Sequence, residues 1–396
     1  MHKYRSKYLF GIVCMAILVL RMQDRFFNAQ LYAEDGYLYE QALRFGYHSL
    51  TLSYAGYLLS IQRLIAYVAS FLNPSHVPLL FNCMALGAVG LVCNRILSER
   101  VNLALKPWLA LVFVLWPHTE DIFVTMENMM WVVSILLLLL IVTDAPQKKL
   151  SLMGDGFIVI LAGLTGVFSI LFLPLFIFRA FLKRTRYSYI IASLVFITAV
   201  LQTYFVIHSP KPDAALPMPW QDVRFIPAII GYRALAHLFL GSAVGLIHYP
   251  MLTLLGFITV VLIIYLLMTS LRNKQELYTK VLILAAMLIT AAASLFRLKH
   301  SLSVLITEEQ LGRYFFIAQV CFIWLLAFEY KKTGISKHIA IACFSLFILT
   351  SATYFKVKPL QDLHWKAHSK HVVKGAYYDI PINPEGWHFR SENSGL

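Results

Sequence analysis

Apolar stretches long enough to cross a bilayer recur along the whole chain, separated by short polar or basic turns. The pattern predicts spans at about 1–22, 77–97, 107–117, 129–143, 188–207, 250–270, 281–296, 313–328 and 338–354. Residues 55–72 carry Gln62 and Arg63 in mid-segment and read as an interfacial or partly re-entrant helix. Residues 226–248, with Arg233 and His237, read as a mixed segment that is not a full span. Residues 152–178 break at Gly163–Gly166 inside an apolar run with basic flanks on both sides. Lys148 and Lys149 precede it, and Arg179, Lys183, Arg184 and Arg186 follow. Two short helices that rise, turn and fall back satisfy both flanks; a single tilted span is the plainer alternative. The expected fold is therefore an all-α polytopic membrane protein of nine transmembrane helices plus a re-entrant pair. Residues 1–354 form the membrane unit and 355–396 an extracytoplasmic tail.

Charge orients this pattern. Only 14% of the 396 residues are charged, against 59% hydrophobic, where soluble domains carry about 25% charged residues. The net charge of +14 is then first a topology signal, since Lys and Arg collect in cytoplasmic loops, and no nucleic-acid partner is implied. Lys3, Arg5 and Lys7 place the N-terminus inside, and the alternation of basic loops places the tail outside. The first apolar run lacks a small-residue cleavage site and reads as an uncleaved span. Cys14, Cys83, Cys93, Cys321 and Cys343 all sit in apolar segments and read as packing residues.

The polar outer parts are few, and candidate chemistry concentrates in them. Glu34 and Asp35 stand side by side just after the first span. A carboxylate at the mouth of an apolar cavity is partly desolvated, which raises its pKa toward the range of a general base. The other reading is a solvated loop in which Gly36 supplies a turn. Arg313 and Tyr314 open a span, with Arg297 and Lys299 in the preceding outer loop. External cations are not explained by the positive-inside rule, and Arg grips phosphate with two parallel donors. Snorkelling at a helix end is the alternative for Arg313. Glu127 and Asn128 open another span, where they complement the helix dipole or support an acceptor. Arg63 and Arg233 fall in the same supporting class. His364, His368 and His371 in the tail have helical spacing, as a metal site would need, but no carboxylate or Cys lies in register. His118–Asp121 (HTED) is discounted in the same way. No metal ligand set is read.

The stretches YAEDGYLYEQALRFG, YAGYLLSIQRLIAYVA, MENMMWVVSILLLLL, GLTGVFSILFLPLFIFR, GRYFFI and IPINPEGW occur in this order between residues 27 and 387. In that order they resemble the membrane glycosyltransferases of the GT-C superfamily, and more closely the phage-type O-antigen glucosyltransferases of serotype-conversion clusters. The resemblance implies a polyprenyl-phosphate sugar as donor, a lipid-linked O-antigen or other surface glycan as acceptor, and an active site on the periplasmic face of the bacterial inner membrane. It also implies a donor-synthesising transferase and a flippase as partners. Asp35, with Glu34 beside it, falls where these enzymes carry the acidic residue of the first outer loop. The resemblance gives Arg313 and Tyr314 no role; their assignment to the lipid phosphate rests on chemistry alone. The rival classes are an O-antigen polymerase or ligase, a flippase or transporter, which would place charges inside spans, and an acyltransferase, which would need a catalytic His or Ser.

Overall fold

The computed structural model describes residues 2–117, 122–209, 220–299, 302–307, 309–373 and 377–391. The chain is a multi-pass membrane protein built mainly of helices. Among the described residues, seven helices are long and apolar enough to cross a bilayer: Pro74–Ile96, Arg186–His208, Asp222–Leu240, Tyr249–Met268, Lys274–Arg297, Leu311–Glu329 and Ile335–Thr353. Six coincide with expected spans. The seventh, Asp222–Leu240, corrects the reading of 226–248 as a mixed segment. Its polar residues Arg233 and His237 are both buried in the protein, so they cost nothing on a lipid-facing side.

Three expected spans differ. His2–Arg21 is a single helix of 20 residues, but basic groups crowd its start and Arg21 closes it. Lys106–Val114 has 9 residues and Met129–Ile141 has 13, about 14 and 20 Å at 1.5 Å per residue. Nearly every residue of Met129–Ile141 is buried. Its surroundings are protein, so bilayer thickness does not set its length. Ser60–Ala69, with 10 residues, is also too short to span.

The glycine break at 163–166 yields two helices, Lys149–Gly163 and Phe168–Lys183. They reverse direction. Tyr187 donates to Asp155 of the first helix at 2.7 Å, and Arg179 of the second lies 5.2 Å from the same tyrosine ring. A continuous helix would hold residues 155 and 179 about 36 Å apart. Gly166 makes the turn with φ of +85°, a conformation suited to glycine. The tip is tied to the segment before Ser60. Gly166 donates to the Leu58 carbonyl at 2.9 Å, and Ser60 donates to the Leu164 carbonyl at 3.1 Å. At the open end Asp155 holds Arg95 at 2.9 Å and Arg100 at 2.5 Å.

Two other contacts organise the bundle. Arg21, 2% exposed, donates to the carbonyls of Val114, Trp116, Tyr354 and Phe355. These oxygens lie at the ends of two further helices and are otherwise left over by helical bonding. Elsewhere, Asp222–Leu240 and Tyr249–Met268 touch backbone to backbone through two glycines, as membrane helices commonly do. A Cβ on Gly231 would lie 2.0 Å from the Leu252 carbonyl oxygen, and one on Gly256 would lie 1.9 Å from that of Pro227. Gly231→Ala and Gly256→Ala are each expected to destabilise the fold at the upper end of the roughly 1–3 kcal/mol of an overpacked core. Thermal unfolding in detergent reads this; melting temperatures unchanged in both variants would contradict the contact.

The tail does not hang free of the membrane unit. Strands β1 (Asp379–Ile382) and β2 (Trp387–Arg390) pair antiparallel. Trp365, Tyr378, Ile382 and Phe389 share one apolar core with Leu38 and Tyr39 of the Glu34–Phe45 helix. Phe389 stacks on Tyr39 with ring centres 5.5 Å apart.

Candidate active site

Glu34 and Asp35 occupy the first turn of Glu34–Phe45, where negative charge complements the helix dipole. The chain turns into this helix through Ala33 at φ 45°. Asp35 is 3% exposed. Its carboxylate accepts the Glu127 amide at 2.7 Å and is also bonded by the Met126 amide. Burial pushes its pKa up to about 7; the two amides pull the other way, the neighbouring Glu34 charge adds to the rise, and Arg25 opposes it. Glu34 is half-buried and accepts a hydrogen bond from the Tyr54 hydroxyl at 3.0 Å.

Glu127 completes the acidic group. Its side chain is hydrogen-bonded to Glu34, and it accepts from Asn128 Nδ2 at 3.1 Å. Burial first, and then the nearby Glu34 charge, hold its carboxyl well above the usual range; Arg313 opposes this. Below it, Gln62 donates to the Glu127 carbonyl at 3.2 Å. Gln62 lies in the Ser60–Ala69 helix, whose start is pinned to the hairpin tip, so the 163–166 turn sets the floor of the site. Arg63 is fully buried, donates to Gln41 Oε1 and feels Tyr37 and Tyr54 nearby; burial lowers its pKa to about 10.

The cationic flank comes from the far half of the chain. Tyr57 feels Tyr314, Glu127, Arg297 and Arg313, and Glu127 itself feels Arg313, which places Arg313 near the acidic group and Arg297 near Tyr57. Arg313 lies 5.7 Å from the Tyr314 ring. Tyr314 packs edge-on to Trp131 at 5.5 Å, and Trp131 packs edge-on to Phe168 of the hairpin at 5.3 Å. The structure thus gathers Glu34, Asp35, Glu127, Asn128, Arg63, Arg313 and Tyr314 around one place, with Arg297 reaching it only through Tyr57. Lys299 instead packs over the Phe296 ring at 4.9 Å. Arg233 donates to the Leu305 carbonyl at 2.9 Å and lies over the Tyr232 ring. Its guanidinium lies close to Gly312, which with Trp116, His237 and Gln319 lines a cavity about the size of one water.

Tyr54, Tyr57 and Trp131 are the site residues that sequence reasoning passed over. The signal was present in the tyrosines of the 54–57 turn, but aromatics in a membrane protein are too common to single out. His364 is exposed beside Asp362 at 3.7 Å. Among the described residues no three His, Cys, Asp or Glu are grouped to hold a metal ion. His118–Asp121 lies outside the described residues.

This arrangement has the parts for proton abstraction next to an anionic group: a buried carboxyl raised toward neutrality, a hydrogen-bonded carboxyl pair beside it, and the Arg313 guanidinium near that pair. Comparison with protein-family models, curated proteins and solved structures finds no match to the chain.

Proposed function

We propose that the protein is a glycosyltransferase that moves a sugar from a polyprenyl-phosphate donor to a lipid-linked O-antigen or other surface glycan. The observation that carries this reading is the buried Asp35 carboxylate, with a pKa of about 7, set beside Glu34 and Glu127, with Arg313 near Glu127 and Arg297 near Tyr57. In this reading Asp35 takes the proton of the acceptor hydroxyl as its oxygen bonds to the anomeric carbon. The bond from that carbon to the lipid phosphate breaks on the opposite side, so the configuration inverts. The transition state is oxocarbenium-like, as in glycoside hydrolysis. Arg313 and Arg297 stabilise the departing phosphate, with Tyr314 beside them. Glu127 shares its proton with Glu34, and Arg63 and Asn128 hold the acidic loop in place.

The site would face the periplasm of a bacterial inner membrane, with the N-terminus cytoplasmic and the tail on the side of the site. The sugar is glucose by resemblance. The experiment is transfer of labelled glucose from polyprenyl-phosphate-glucose into glycan, in membranes carrying the protein. Transfer of single sugars is the expected result. Transfer from no polyprenyl-phosphate sugar overturns the reading, and movement of whole repeat units from a polyprenyl diphosphate moves it to a polymerase.

A further inference from the structure

We infer that the C-terminal strand pair is a positioning device for the acidic pair, with Asn383 as its key residue. The inference rests on Glu34 and Asp35 being the reacting carboxylates of the proposed transferase.

The chain reaches these carboxylates through a backbone that does not hold itself. Ala33 sits at φ 45° and ψ −125°, outside the regions open to a residue with a Cβ. Such a conformation persists only where its surroundings over-determine it. Asn383 supplies those surroundings from 350 positions further along. Its carbonyl accepts the Ala33 amide, and its own amide donates to the Leu31 carbonyl at 3.2 Å. Its side chain is then fixed at two points by the tail. Oδ1 accepts the Gln361 amide at 3.1 Å, and Nδ2 donates to the Gln361 carbonyl at 2.9 Å. Asn383 is 4% exposed, so these bonds have no competition from bulk water.

The neighbouring residue acts on the other side of the pair. Gly36 follows Asp35, and a Cβ there would lie 2.7 Å from Ile382 Cδ1. The first helical turn therefore rests directly on Ile382. Across from the tail, Asp35 is held by the amides of residues 126 and 127. The acidic pair is gripped between two segments, and the tail provides one of them. Asparagine suits the role because one short side chain must both accept from and donate to the backbone of the same residue, Gln361.

The test uses the full chain in nanodiscs. Asn383→Ala removes both side-chain bonds and leaves the backbone bonds. It is expected to lower kcat about tenfold, leave donor KM within about twofold, and shift the midpoint of the pH–rate profile. Asn383→Asp keeps the acceptor and is expected to recover part of the rate. Hydrogen exchange of the 31–36 amides reads the grip without any activity and is expected to quicken in Asn383→Ala. Unchanged exchange there overturns the grip. Quicker exchange with wild-type kcat and pH midpoint overturns its catalytic role. Should Asn383→Ala fail to fold, Gly36→Ala is expected to lower kcat by pushing the first turn off Ile382, with Gly36→Ala/Ile382→Ala restoring part of it. A double variant no better than the single one overturns the inference. An inactive wild type overturns the transferase reading and the positioning of its base together, while the exchange data still judge the grip.

Discussion

Asp35→Asn is expected to lower kcat by about 10²–10⁴-fold, the usual worth of a general base. Asn has the same shape, and its amide oxygen can still accept the Glu127 amide. The geometry is thus retained and the proton affinity is lost. In the wild type the rate should climb with pH below about 7 and level off above it, because the base works only when ionised. Stability runs the other way. The folded-state pKa of Asp35 is raised, so its contribution is fully present below the unfolded value near 3.8 and is lost as pH rises through about 7. The loss is on the order of a few kcal/mol for a fully buried carboxyl. Asp35→Asn cannot ionise and escapes it. The variant should therefore be nearly inactive at pH 8 yet melt no lower than the wild type there. Full transfer by Asp35→Asn would end the assignment. A larger loss in Glu34→Gln than in Asp35→Asn would move the base to Glu34.

Glu329→Ala should produce the largest loss of stability, about 3–5 kcal/mol, by stranding a buried partner charge. Lys280 and Glu329 are both fully buried and ion-paired. Lys280 also donates to the Leu266 carbonyl at 2.8 Å and lies 3.2 Å from Glu276. Lys332 bridges Glu276 at 2.7 Å and Glu329 at 3.0 Å, and Thr269 donates to Glu329 at 3.0 Å. The group thus joins the ends of three helices. Lys280→Ala should cost a similar amount. Lys280→Met/Glu329→Met should recover much of it, because a well-packed apolar pair avoids the desolvation of two charges. Thermal unfolding in detergent decides; a Glu329→Ala melting curve superimposable on wild type would show that the pair stabilises nothing. Lys280 and Arg297 lie at opposite ends of one helix, about 26 Å apart. Folded Glu329→Ala protein should for that reason keep its transfer activity at low temperature.

The long apolar helices were legible because lipid imposes both length and composition on them. The break at 163–166 was legible because glycine interrupts helices for a local reason. The acidic pair stood out because adjacent carboxylates are rare beside a span. Burial by protein erased the rest. Arg233 and His237 look like breaks in a span until the neighbouring helices enclose them, and Met129–Ile141 looks like a span until its length is measured. The grouping of the site was also hidden. Glu127 is brought to Asp35 across 92 positions and Arg313 to Glu127 across 186, and nothing local marks those partners. Asn383 is one asparagine near a turn, and only its contacts give it weight.

The strand pair also fixes when the site can exist. Residues 379–390 leave the ribosome more than 300 residues after Glu34 and Asp35. Until they arrive, Ala33 lacks the bonds that hold it and the acidic turn lacks its support. Contacts this distant along the chain form late. A half-made chain can already be threaded through the membrane, yet its carboxylates remain unaimed. A chain interrupted before residue 379 would therefore carry its acidic turn without the strand pair that supports it.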